Sequence, residues 1–268
     1  HDGAWKRLNL REAAGSPKAV GDPVAVVFGG QHHVVYRDES DDIWDIYYDF
    51  HEGGWKRQNL TRLTGSPRAA GEPAAVEYRN GHHVVFRSTD GDIWDLYYDA
   101  GWHKQNLTHL TRAAKAAGDP AAVVYRGQYH VVYRDVNGDI CDICHDNGHK
   151  KRSFTKMTHA PKAIADPATV VYHDQHHVLY RDAGGHVCDV YYDGGWKRQD
   201  LTEITRSPKA VGGAMAAYMD DELHVLYQDA SGDIYDLYCA AESIHVCHGM
   251  YGDRVDEVIG AVHSFLEA

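Results

Sequence analysis

One eight-residue segment that recurs five times constrains this chain more than any other feature. QHHVVYRD at 31–38 returns as GHHVVFRS at 81–88, QYHVVYRD at 128–135, QHHVLYRD at 175–182 and ELHVLYQD at 222–229. The histidine before its apolar pair falls at 33, 83, 130, 177 and 224. A second segment keeps the same steps, from DIWDIYYD at 42–49 to DIYDLYCA at 233–240, with its central aspartate at 45, 95, 142, 189 and 236. Two markers in one register define a repeated supersecondary unit of about 47 residues, the period of a propeller blade.

Each unit divides into four strands. The first follows a Gly-Asp/Glu-Pro turn, as in PVAVVF (23–28), and the second is the His-Val-Val-Tyr-Arg segment. The third is Ile-x-Asp-Leu-Tyr-Tyr, reached through hairpin turns such as TDGD (89–92). The fourth is GWKRQNLT (54–61), repeated as GWHKQNLT (101–108) and GWKRQDLT (195–202) and altered to GHKKRSFT (148–155). A polar connection such as GSPRAAGEP (65–73) then leads onward. Val34 and Tyr36 share a strand face and Val35 takes the other, so both faces of each sheet are apolar, as when blades stack on one another. The chain is therefore expected to be all-β: a five-bladed β-propeller of four-stranded antiparallel blades.

The fourth-strand tryptophan occurs at 5, 55, 102 and 196, with His149 in its slot in the third unit, and is missing after the fifth. AWKRLNL (4–10) supplies the missing copy, so the amino-terminal strand is expected to close the last blade. The propeller then spans 1–238, with repeats near 11–60, 61–107, 108–154, 155–201 and 202–238 plus the strand 4–10. Residues 239–268 do not repeat, and the apolar spacing within 253–267 predicts an amphipathic C-terminal α-helix. That helix is expected to cap the ring or to join two copies into a homo-oligomer.

Composition narrows the partners. The formal charge of −12 argues against nucleic acid, which needs clustered Lys and Arg, and no apolar run is long enough for membrane insertion. Five cysteines, all in the second half, do not form a small disulfide framework and read as reduced thiols. The chain starts at His1 without a signal-like segment, and it reads as a soluble protein, secreted in preference to cytoplasmic.

Chemistry-bearing residues stand both where the repeat recurs and where it breaks. A catalytic dyad needs one copy, so the His33–Asp45 pair and its four counterparts read as hydrogen bonds that order each blade. CDICH (141–145) has haem- and zinc-like spacing, but residues three apart in a strand face opposite ways, so neither metal nor cofactor is expected. No nucleophile elbow or phosphate loop is present, and no catalytic residue is assigned. Arg37, Arg87, Arg134 and Arg181 either donate forked hydrogen bonds to sugar hydroxyls or pair with acids such as Asp38 and Asp135. Trp44, Trp94, Trp55, Trp102 and Trp196, with Tyr47, Tyr97 and Tyr191, offer flat apolar faces suited to the C–H surfaces of sugar rings.

The succession H-V-V-Y-R-D-x-x-G-D-I-x-D-L-x-Y, then W-x-x-x-x-L-T, then G-S-P-x-A-x-G-(D/E)-P resembles the repeat of the Photorhabdus lectin-type β-propellers and does so over residues 1–238. The resemblance implies a non-enzymatic, multivalent lectin that binds glycans, fucose-like sugars among them, in grooves between blades. It also implies seven blades where this chain encodes five, and a third strand reading Ile-His-Glu-Leu-Trp where this one reads Ile-Trp-Asp-Ile-Tyr. A protein-interaction propeller and a hydrolase with a site at the central channel or the tail are the alternatives.

Overall fold

The computed structural model describes residues 5–240. Four meandering antiparallel sheets of four strands each appear in chain order. The first comprises β1 (Val24–Phe28), β2 (Gln31–Arg37), β3 (Ile43–Asp49) and β4 (Gly54–Asn59). The second comprises β5 (Ala74–Tyr78), β6 (Gly81–Arg87), β7 (Ile93–Tyr98) and β8 (Trp102–Asn106). The third comprises β9 (Ala121–Tyr125), β10 (Gln128–Arg134), β11 (Ile140–His145) and β12 (His149–Ser153). The fourth comprises β13 (Ala168–Tyr172), β14 (Gln175–Arg181), β15 (Val187–Tyr192) and β16 (Trp196–Asp200). A fifth sheet has three strands, β17 (Met215–Met219), β18 (Glu222–Gln228) and β19 (Ile234–Ala240).

The first strands pack on one another in the order β1, β5, β9, β13, β17, so the sheets stand side by side in a row. The core lies between sheets. Val35, Ile43 and Leu60 of the first unit meet Val84, Phe86 and Leu96 of the second, all buried. Because Val35 pairs with Asp45 and Val34 with Ile46, one face of each sheet carries the His–Asp pair and meets the next sheet. The other face carries the fourth-strand tryptophan and meets the preceding sheet.

Five short helices stand where a polar connection was expected: α1 (Leu10–Ala14) precedes the first sheet, and α2 (Leu60–Thr64), α3 (Leu107–Thr111), α4 (Phe154–Thr158) and α5 (Leu201–Thr205) each follow a fourth strand. The Asn-Leu-Thr triplet builds α2. The Asn59 side chain accepts from the Arg62 amide at 2.9 Å and caps α2, which ends on Gly65 at φ +62°. Thr61 Oγ1 accepts from the Ile43 amide at 2.8 Å and so fastens the helix to β3. Thr108 and Thr202 hold the Ile93 and Val187 amides in the same way. The Ser-Pro turn has its own anchor, since Tyr36 donates its hydroxyl proton to the Pro17 carbonyl, as Tyr180 does to Pro161 and Tyr227 to Pro208.

The ends of the row correct the closed-ring expectation. Residues 5–9 form no strand, Trp5 is 87% exposed, and β19 has no fourth strand beside it. The physical reason is placement: α1 packs against β4 and holds the segment before it at the first sheet, whereas β19 belongs to the opposite end of the row. The expected tail helix at 253–267 lies outside the described residues.

Candidate functional site

Every unit holds its histidine–aspartate pair as a hydrogen bond. His33, His83, His130, His177 and His224 place Nδ1 at 2.9, 2.9, 3.0, 2.8 and 2.8 Å from Asp45, Asp95, Asp142, Asp189 and Asp236. The carboxylate is gripped from the fourth strand as well, by Gln58, Gln105 and Gln199 amides and by the Arg152 guanidinium in the third unit. Asp45 is 0% exposed. A buried carboxylate with two donors is an ordering device for the sheet, and its fivefold recurrence fits that role.

On the same face the third-strand tyrosine lies flat against the histidine. Tyr47 stacks on His33 at 5.4 Å, Tyr97 on His83 at 5.8 Å and Tyr191 on His177 at 5.5 Å between ring centroids. The tryptophan of the next sheet approaches this face. Trp102 donates Nε1–H to Gln58 Oε1 at 3.1 Å across the first groove. Trp196 packs on Phe154 at 4.1 Å and beneath the Arg152 guanidinium in the third. Both indoles plug their grooves.

In the second groove His149 occupies the tryptophan slot, and a cavity of about 370 Å³ opens there. Tyr97, Tyr98, Asp99 and Gln105 line it from the second sheet, with Arg79 and Asn80 from the β5–β6 turn. Tyr129, His145 and His149 line it from the third. Gln105 keeps its amide on Asp95 at 2.8 Å, but no indole stands opposite its carbonyl as Trp102 stands opposite Gln58. At the rim, Arg79 lies over the Tyr78 ring at 5.0 Å and reaches Asp146 across the groove at 3.5 Å. His145 and His149 approach to 4.4 Å between rings, and burial pushes both imidazoles below the usual histidine range, so they are neutral at pH 7. Flat aromatic walls, neutral imidazoles and forked planar donors suit a small polyhydroxylated ring.

The nominated arginines sit elsewhere. They lie at the far end of the second strand of their units and tie each sheet to the lead-in loop of the next. Arg37 reaches Glu72 at 3.7 Å, Arg87 reaches Asp119 at 3.5 Å, Arg134 reaches Asp166 at 3.2 Å, and Arg181 bonds the Gly212 carbonyl at 2.7 Å. Arg37 also pairs at 2.6 Å with Asp41 of its own hairpin turn, while Asp38 and Asp135 accept amides of their own hairpin turns. Trp44 and Trp94 stand at the same end, Trp44 donating to Asp38 at 2.8 Å. Trp55 packs beside Tyr48 on the outer face of the first sheet. Of the nominated residues, Tyr97 alone lines the cavity. The cavity's other residues escaped repeat-based reading, although the loss of tryptophan at His149 was its visible mark.

Stacked four-stranded meanders with binding-size space between them define a propeller-type fold. Comparisons with solved structures agree. SapL1 lectin, determined with α-methyl fucoside, matches at a TM-score of 0.59 and 16% identity over 84% of this chain and 79% of that one. BP39L lectin from Burkholderia pseudomallei matches at 0.61 and 12% identity, over 82% and 67%. The six-bladed fucose-binding lectin of Aleuria aurantia matches at 0.53 and 14% identity, over 82% and 74%. No protein-family profile matches the chain, and no curated protein matches it. At these identities the likeness establishes the fold, and the five sheets described here form an open row rather than a closed ring.

Proposed function

We propose that this protein is a carbohydrate-binding lectin that takes a monosaccharide or a terminal sugar residue in the groove between its second and third sheets. The observation that carries this reading is the cavity itself. Its volume of about 370 Å³ lies at the small end of the range for ligand sites, roughly 300–1,000 Å³, and fits one sugar ring better than an extended chain. Tyr97 and the exposed Tyr98 offer aromatic surface, while Arg79, Asn80, Asp99 and Gln105 offer hydrogen bonds in several directions. A neutral ligand also suits a chain of charge −12. The structural likeness to SapL1, solved with α-methyl fucoside, makes fucose-type sugars the first to test.

The sequence resemblance to the Photorhabdus lectins supports the same class and adds multivalency. Further sites between the other sheets would need the plugging tryptophans Trp102 and Trp196 to serve as sugar platforms. In that arrangement Tyr47 would stand on the face opposite Trp102, Tyr191 would face the groove between the fourth and fifth sheets, and the arginines would hold the blades together.

The test is direct. A glycan array and calorimetry with methyl α-L-fucoside are expected to show binding that falls at least tenfold in Tyr97→Ala. His149→Trp, which restores the plug, is expected to abolish binding at this groove while leaving the sheet intact. Absence of any sugar binding at millimolar concentration, or unchanged affinity in His149→Trp, would remove the assignment.

A further inference from the structure

The two ends of the row carry the two halves of one contact. Residues 5–10 read WKRLNL, and residues 55–60, the end of β4 and the start of α2, read WKRQNL. One position differs. Yet residues 5–9 form no strand and are all exposed, whereas Trp55 is partly buried and Asn59 and Leu60 are buried.

The fifth sheet lacks what this sequence supplies elsewhere. In the first sheet the third strand pairs with the fourth, Asp45 opposite Gln58 and Tyr48 opposite Trp55. No strand takes that side of β19 among the described residues. Asp236 keeps its bond to His224 at 2.8 Å. Among the described residues no fourth-strand group grips it, as Gln58, Gln105, Arg152 and Gln199 grip its counterparts. The adjoining face is bare as well. Ile234 is 67% exposed, while Ile43, Ile93, Ile140 and Val187 at the same strand position are all 0%. An edge strand with unpaired amides and carbonyls is a template for another strand.

α1 shows where residues 5–9 belong. α2, α3 and α4 each pack on the fourth strand of the following sheet, and α1 packs on β4 in the same way. A strand that runs into a helix so placed is the fourth strand of a sheet standing before the first one. Within one chain, the sheet that lacks a fourth strand stands at the opposite end of the row. A second copy brings that sheet into place without rearranging either row. We propose that copies of this chain join head to tail, residues 5–9 of one adding antiparallel to β19 of the next as its fourth strand. A second copy is the occupant because its residues 5–10 differ at one position from a segment that already pairs with IWDIYYD. The first sheet brings a bare face to the junction too, since His32 is exposed where His82 and His176 in its slot are 0%. In the register of the first sheet, Trp5 stands opposite Cys239 and Leu8 opposite Asp236. Trp5 then enters the groove between the fourth and fifth sheets, where Gln199 holds the place that Gln58 holds opposite Trp102. Different faces meet on the two copies, so the contact closes into a ring or extends into a chain.

The junction does not rest on sugar binding in the second groove. The experiment uses the full chain in analytical ultracentrifugation, where a mass above the monomer that falls on dilution is expected. Trp5→Cys supplies one thiol of a cross-link and Cys239 the other. Mild oxidation should give covalent dimers or larger species on a non-reducing gel, with peptide mapping placing the bridge between position 5 and Cys239. Adding Cys239→Ser should remove that bridge. Leu8 is 59% exposed, so its variants leave the row intact. Leu8→Gln restores the donor used in other sheets and should tighten association about tenfold, while Leu8→Glu sets a carboxylate against Asp236 and should weaken it by about the same factor. A monomer at every concentration, as cover of β19 by the chain's own residues 241–268 would give, overturns the proposal. So does a bridge confined to single chains, or indifference to both Leu8 variants.

Discussion

His82 shows how much a single side chain depends on its neighbours. Burial drives its pKa down from 6.5 to about 4, and that of His176 to about 3, so both are neutral in the folded protein at pH 7. The unfolded chain takes up these protons near pH 6.5 and the folded one does not, so their contribution is complete above pH 6.5 and is lost as pH falls toward 4. For His82 the window is worth about 3 kcal/mol at most, from 1.36 kcal/mol per pKa unit. Denaturant midpoints for His82→Tyr are expected to fall less than those of the wild type between pH 7 and pH 4. Parallel curves would refute this. Asp45 carries a second prediction at this scale. Asp45→Ala removes the partner of His33 and Gln58 in a fully buried position, and a loss of about 3 kcal/mol in urea unfolding is expected.

Among the elements, the five short helices separate what pattern reading finds from what it overlooks. Strands were legible because apolar alternation and turn residues recur at matching positions, and the segments nominated as first, second and third strands coincide with the strands observed. A five-residue helix is too short for periodicity to register, and its signal is chemical: a capping Asn, Ser or Asp, and in α2, α3 and α5 a Thr that grips a strand amide. Asn59→Ala is expected to cost about 1 kcal/mol, the usual worth of an N-cap. Thr61→Val keeps the shape but strips the buried Ile43 amide of its acceptor, and should cost roughly 1–3 kcal/mol. Urea titration of the two variants distinguishes them, since equal losses would mean that the Thr–amide bond adds nothing beyond the cap.

Across the whole molecule, the grooves and the ends of the row govern what the fold can do. Trp102 and Trp196 fill two grooves, and His149 leaves the one between them open. Exchanging the residues tests that logic. Trp102→His is expected to open an equivalent cavity between the first and second sheets at a cost of about 3 kcal/mol, the range of large-to-small changes. His149→Trp should raise the thermal midpoint or leave it unchanged, measured by calorimetry. The ends are the other whole-molecule feature. Met215 on β17 is 69% exposed and Ile234 on β19 is 67% exposed, surfaces that inner sheets of the same sequence type bury against a neighbour.

The sequence by itself determined the repeat, the four-strand unit, the strand parity and the five His–Asp bonds. Each of these is encoded within one unit, where residues that meet are close in the chain or occupy matched strand positions. The tertiary structure decided the rest. It directed the arginines to the lead-in loops of the following unit, Arg37 holding Asp41 of its own hairpin as well, placed the cavity at His149, set His82 against His33, and left residues 5–9 apart from β19. These outcomes depend on side chains from two sheets about 50 residues apart in the chain. A repeat repeats its own unit, while the volume between two units depends on both, so a single tryptophan-to-histidine exchange decides where a ligand fits.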